Sequence, residues 1–186
     1  MGTAGPNGRR LGSFLLRPLR RFARDRRGVT MIEFALLAPI FFAMIAAILE
    51  TAVVALSSQI LDSATHDSVR IIRTGQAQAG GIDIDEFKTE ICSRLYGLFD
   101  CAGLHVRIRE ISNFSTATPS DPLDPTTGNW VLTEDFQIGG GGDIIIAEAY
   151  YKWPVIAGAF GLNFATTPDG KRLLAAVRVW RNEPFS

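Results

Sequence analysis

The stretch Arg26-Arg27-Gly28-Val29-Thr30-Met31-Ile32-Glu33-Phe34-Ala35-Leu36-Leu37-Ala38-Pro39 decides how the rest of the chain is read. A block of arginines ends at a glycine, and a long apolar run begins directly after it, with one carboxylate, Glu33, at its fifth position. No charge follows from Phe34 to Leu49, and Glu50 is the next charged residue. Val29 to Leu49 is 21 residues, which as a helix rises about 30 Å, enough to cross the hydrocarbon core of a bilayer. A soluble amphipathic helix would show polar residues along one side at a 3.6-residue period, and this run is apolar all round. The residues predict a membrane-spanning helix. Pro39 removes one backbone donor inside it and favours a kink there.

The flanks set the expected orientation. Residues 1–28 hold eight arginines against Asp25 alone, a net charge of +7, while the rest of the chain sums to −7 and the whole to zero. An arginine excess stays cytoplasmic, so the N-terminus is expected inside and the larger C-terminal part outside. A cleaved secretory signal peptide is the competing reading, but its apolar region runs to only about 7–15 residues. The expected organisation is a basic leader over 1–28, a transmembrane helix over 29–56 and an extracytoplasmic domain over 57–186. Because the remainder is acidic, the basic N-terminus reads as a topology element and nucleic acid is not an expected partner. Glu33 is the costly residue, since a carboxylate within a spanning helix is unfavourable unless it reaches water or a cation. A cut after Gly28 would give Val29 a new α-ammonium one helical turn from Glu33, and that amine, in the same chain or a neighbour, would pair with it.

Beyond Ser57-Ser58-Gln59, Leu61, Ala64, Ser68, Ile71 or Ile72 and Gly75 recur at three- or four-residue steps, so the spanning helix is expected to continue as an amphipathic one and stop at Thr74-Gly75. Gln76–Gly81 reads as a linker. Asp83–Phe99 reads as a second helix with Ile84, Phe87, Ile91, Leu95 and Leu98 on its apolar stripe. Leu104–Ile111 alternates as a half-buried strand, Asn113–Asn129 is an exposed polar loop, and Trp130–Leu132 suggests a short strand. Asp143–Trp153 and Lys171–Trp180 supply two further strands, separated by a loop with Gly158, Gly161, Pro168 and Gly170. Strands after helices give an α+β chain, an antiparallel sheet on a helical layer.

Cys92 and Cys101 bracket the end of the second helix. A metal site would need about four ligands, with only His66 and His105 left to join them, and no C-x-x-C suggests redox chemistry. A structural disulfide is the expected pairing, stabilising by roughly 2–3 kcal/mol in a small extracytoplasmic domain. Gly139-Gly140-Gly141-Gly142 lacks the lysine and helix of a phosphate loop and reads as a flexible turn. Asp121 and Asp124 lack the spacing of an EF-hand and read as solvated loop residues. No catalytic signature stands out, so no enzyme activity, metal or cofactor is expected.

Gly28-Val29-Thr30-Met31-Ile32-Glu33 resembles the prepilin peptidase site of type IV pilins: a basic leader, a glycine before the cut, and glutamate at the fifth mature position. The longer string from Arg27 to Pro39 is similar to the TadE-like pseudopilins of tight-adherence (Flp) pilus systems. So are Asp143–Pro154 and the closing Arg181-Asn182-Glu183-Pro184-Phe185. Val29, where an aromatic or methionine is common, and the long leader depart from the usual pattern. The resemblance implies a pilin-like fold with a long N-terminal helix, half in lipid and half covered by a sheet. It implies cleavage between Gly28 and Val29 by a prepilin peptidase in the bacterial inner membrane, and packing against other pilin-like subunits and the assembly platform, with Glu33 setting register. The alternative is an uncleaved single-pass protein whose outer domain binds a protein partner. The Arg181–Phe185 tail is equally readable as a terminal turn pinned by one buried phenylalanine.

Overall fold

The computed structural model describes residues 28–156 and 164–185, and the basic leader up to Arg27 lies outside them. The chain divides into two compact units at Ile45 and Ala46. In the first, residues 28–45 are helical and present their apolar side chains outward, including Met31, Ile32, Phe34, Leu36 and Leu37.

The second unit is α+β. Helix α1 (Val29–Ser68) enters it and buries Val54, Ser57, Leu61, Ala64, Thr65 and Ser68, one face at three- and four-residue steps. The buried Thr65 hydroxyl on that face is satisfied by donating to the Leu61 carbonyl at 2.8 Å. Val69 keeps helical bonds to Thr65 and from Arg73, each 3.0 Å, and the chain continues as α2 (Arg70–Arg73), which stops at Gly75 with φ of +81°. Where a linker is expected, a short helix α3 (Gln76–Gly80) forms and buries Ala77. α4 (Ile84–Ser93) starts with a reciprocal cap: Glu86 N–H donates to the Asp83 side chain at 2.9 Å, and Asp83 N–H to the Glu86 side chain at 3.3 Å. It ends well before the expected Phe99. Tyr96 and Gly97 take positive φ, yet Leu95 and Phe99 remain buried, so the apolar spacing continues through a turn that is not helical.

Three strands, β1 (Leu104–Ile111), β2 (Ile144–Pro154) and β3 (Lys171–Arg181), form an antiparallel sheet in the order β1-β2-β3. Ile108 pairs with Ala147, which pairs with Arg178. Leu104, Val106, Ile108, Ile145, Ala147 and Ala149 face the helices and join Leu61, Ile72, Phe87 and Ile91 in the main core. An ion pair joins Arg178 of β3 to Asp62 of α1, and one at 3.2 Å joins Glu183, just after β3, to Arg73 of α2, so β3 runs along the helices in the same direction. The expected strand at Trp130–Leu132 is reduced to an isolated bridge between Leu123 and Trp130, while Phe136 bridges in parallel to Ile108 at the free edge of β1.

The C-terminal tail is part of the fold. Asn182 is 2% exposed. Its amide donates to the Ile138 and Gly140 carbonyls at 2.9 and 3.0 Å, and its side-chain oxygen accepts from the Trp180 indole at 2.8 Å. Gln78 donates to Ile138 and Gly139 from the other side, each at 3.1 Å. The four-glycine turn is thereby pinned rather than loose. Phe185 is half-buried and lies on Gly75, where an added Cβ would meet its ring at 2.6 Å. Gly75→Ala therefore meets both a positive φ and a filled space. We expect it to cost about 1–3 kcal/mol, read as a lower urea midpoint with an unchanged slope.

The outer face of the sheet carries a buried carboxylate. Glu148 is fully buried. It accepts from Ser120 N–H, from the Ser120 hydroxyl at 3.0 Å and from the Tyr150 hydroxyl at 3.3 Å, with Arg109 Nε at 3.7 Å. The loop after β1 is held down at Ser120. Burial, followed by the neighbouring Glu148 charge, pushes the Tyr150 phenol above its ordinary value of 10.0. The unfolded chain then loses this proton before the folded one does, so stability is full below pH 10 and falls as pH rises beyond it. Melting of the full-length protein in detergent is expected to show that fall, and Tyr150→Phe to flatten it.

Candidate processing and assembly segment

Every residue singled out near the N-terminus lies on the first turns of α1 or just before it. α1 begins at Val29, directly after Gly28. A Cβ at Gly28 would meet nothing within 4 Å among the described residues, and Gly28 has no positive φ. Among the described residues, neither a filled space at the Cβ position nor the backbone φ requires a glycine here.

Glu33 follows Val29 by four residues, which on a helix is about 6 Å of rise and roughly one turn. The Glu33 side chain is exposed, and its neighbours Ile32 and Phe34 are 63% and 67% exposed. Among the described residues it has no hydrogen bond or ion pair. A lone carboxylate on an otherwise apolar surface is stable in a bilayer only where it reaches the interface or finds a donor. A primary ammonium on a packed neighbour meets that need, with Coulomb attraction strengthened by the low dielectric. Pro39 lies inside α1, and its missing N–H leaves the Ala35 carbonyl without its intrahelical donor.

The other singled-out residues are in the second unit. Cys92 and Cys101 form a disulfide with Cα atoms 6.0 Å apart, clipping the end of α4 to the turn before β1. His105 stacks on Trp130 with centroids 4.0 Å apart and places Nδ1 3.3 Å from Glu134. Burial holds its pKa below the ordinary 6.5, although Glu134 opposes the shift. His66 Nδ1 lies 3.4 Å from Asp67. Asp124 uses one oxygen to accept from Thr126 N–H, Thr127 N–H and the Thr127 hydroxyl, which hold its pKa low. The oxygen is spent on its own turn. Among the described residues no three His, Cys, Asp or Glu side chains converge as a metal site would need. A recess of about 710 Å³ lies between the end of α1, α4 and β3. Several of its cations are already paired: Arg94 with Glu90, Arg178 with Asp62 and Arg73 with Glu183. Glu148 and Asn182 carry the polar order of the domain without being visible as candidates beforehand. One acid within the apolar run Ile144–Tyr151 was the only available signal for Glu148.

α1 and α2 form a 45-residue stretch from Val29 to Arg73, long and apolar enough to cross a membrane. Residues 28–70 match the family described as TadE-like protein. No curated protein and no solved structure matches the chain.

Proposed function

Given a TadE-like segment at 28–70, we propose that this chain is a minor pilin-like subunit, a pseudopilin, needed to assemble a bacterial tight-adherence pilus. The observation that carries the reading is the combination at the start of that segment. A Cβ at Gly28 would meet nothing within 4 Å among the described residues, α1 is apolar on its open surface, and Glu33 stands on it without a partner among the described residues. The Gly28–Val29 peptide is the substrate of a prepilin peptidase. Cleavage leaves an ammonium on Val29, and Glu33 pairs with such an amine when helices of pilin-like subunits pack together. The N-terminus lies in the cytoplasm, the helix in the inner membrane and residues 57–186 in the periplasm, where the Cys92–Cys101 bridge is stable. The chain is a substrate and a building part and carries out no catalysis itself.

Intact mass of the protein from its native membrane tests this, with and without reduction. A species beginning at Val29, gaining two hydrogens on reduction, is the expected result. A full-length species in a host with an active peptidase would replace this reading with an uncleaved single-pass protein bearing a partner-binding domain.

A further inference from the structure

The uncharged run of α1 ends at Glu50, yet the exposed apolar surface does not end there. Leu49, Val53 and Leu56, spaced four and three residues apart, are 60%, 48% and 58% exposed, forming one stripe that runs past the first charge. On the adjacent face, Glu50 accepts a hydrogen bond from the Ile156 backbone N–H at 2.6 Å. The segment leaving β2 is thus brought against α1 at the level where the charge-free run stops. There the Ile156 side chain is 75% exposed. That hydrogen bond fixes the segment leaving β2 beside the helix at this level.

The same end of the sheet carries the residue types of a membrane interface. Trp153 pairs across the strands with Arg172, and Pro154 with Lys171. Lys171 is exposed and Arg172 half-buried. The aspartate in the turn before β3, Asp169, is already taken up by Lys152 at 3.0 Å and by Thr167. The Trp153 ring itself packs on Phe99, with centroids 5.3 Å apart, and the lysine and arginine beside it at the edge of an apolar surface suit the level of anionic headgroups.

We infer that Ile156, together with the α1 stripe Leu49, Val53 and Leu56, is buried in the headgroup–acyl boundary of the bilayer that α1 crosses. The sheet domain rests on the membrane at its β2 end as well as being tethered through its helix. This rests on the membrane-spanning reading of α1. The bilayer is favoured over a second protein chain because the stripe is continuous with the spanning run, and cations suited to anionic headgroups stand at the same edge.

The test uses the full-length chain in vesicles of phosphatidylethanolamine and phosphatidylglycerol. Nitroxide labels are placed singly at Ile156→Cys, Val53→Cys, Ile40→Cys and Ser115→Cys, with the disulfide left intact. Collision with dissolved oxygen is compared with collision with a water-soluble nickel chelate. Labels at 156 and 53 should favour oxygen over nickel several-fold relative to the label at 115, approaching the label at 40. Nickel access at 156 and 53 equal to that at 115, with 40 still protected, overturns the inference and leaves the spanning helix standing. Protection of 156 and 53 from both reagents overturns it in favour of cover by another chain. Nickel access at 40 removes the spanning helix and this inference with it.

Discussion

Glu33→Ala is expected to leave cleavage after Gly28 intact while reducing pilus assembly by roughly tenfold or more, counted as pilin-like subunits in sheared surface fractions. On the proposed reading the peptidase acts on the Gly28–Val29 peptide, where a Cβ at Gly28 would meet nothing within 4 Å among the described residues, four residues away from this carboxylate. Removing the carboxylate takes one uncompensated charge off an apolar helix, so insertion itself should become easier rather than harder. What disappears is the one charged side chain between Val29 and Leu49, able to distinguish correct from slipped docking. Apolar side chains such as Ile32, Phe34, Leu36 and Leu37 attract any apolar partner at many registers, whereas an ion pair in low dielectric is satisfied at few. Glu33→Gln, which keeps shape and hydrogen bonding but loses charge, should fall between the two. Normal piliation in Glu33→Ala cells would sink the register role, and loss of cleavage would move the residue into peptidase recognition.

The features legible in the sequence were those with a period or a charge boundary. The run from Val29 to Leu49 announced its helix by composition, and Leu61, Ala64 and Ser68 announced the covered face by spacing. The three strands also fell where alternation or apolar character placed them, because a sheet with one face on helices enforces a two-residue repeat. What could not be read depended on contacts between residues far apart in the chain. Leu95 and Phe99 are buried with helical-looking spacing, but the backbone between them turns through Tyr96 and Gly97. Ala77 belongs to a helix too short to declare itself. Asn182 looks like any tail residue until the carbonyls of Ile138 and Gly140 are brought to it. Glu33, by contrast, was legible as an anomaly while its partner was not, since that partner lies outside the described chain on the proposed reading.

Glu148→Ala is expected to be the most destabilising single change in the folded domain. In the native state its carboxylate takes the Ser120 N–H and hydroxyl and the Tyr150 hydroxyl, and it neutralises Arg109. Those groups are themselves tied together: Tyr150 also donates to the Ser120 carbonyl at 2.9 Å, and Arg107 donates to the Ser120 hydroxyl at 2.9 Å. Alanine would leave a half-buried guanidinium without its counter-charge and the Ser120 N–H without an acceptor, a combination that costs about 3–5 kcal/mol. Glutamine keeps an acceptor oxygen and the volume, so Glu148→Gln should cost less, about 1–3 kcal/mol. The loss should be seen first in the loop. Hydrogen exchange between Asn113 and Pro122 should accelerate in Glu148→Ala below the global transition, while exchange in α4 stays near that of the parent. The helix-facing core of Phe87, Ile91 and Ile145 lies on the other side of the sheet, and its packing does not pass through this network. A urea midpoint for Glu148→Ala within about 1 kcal/mol of the parent would show that water replaces the carboxylate without loss, and that the loop is held by its own turns.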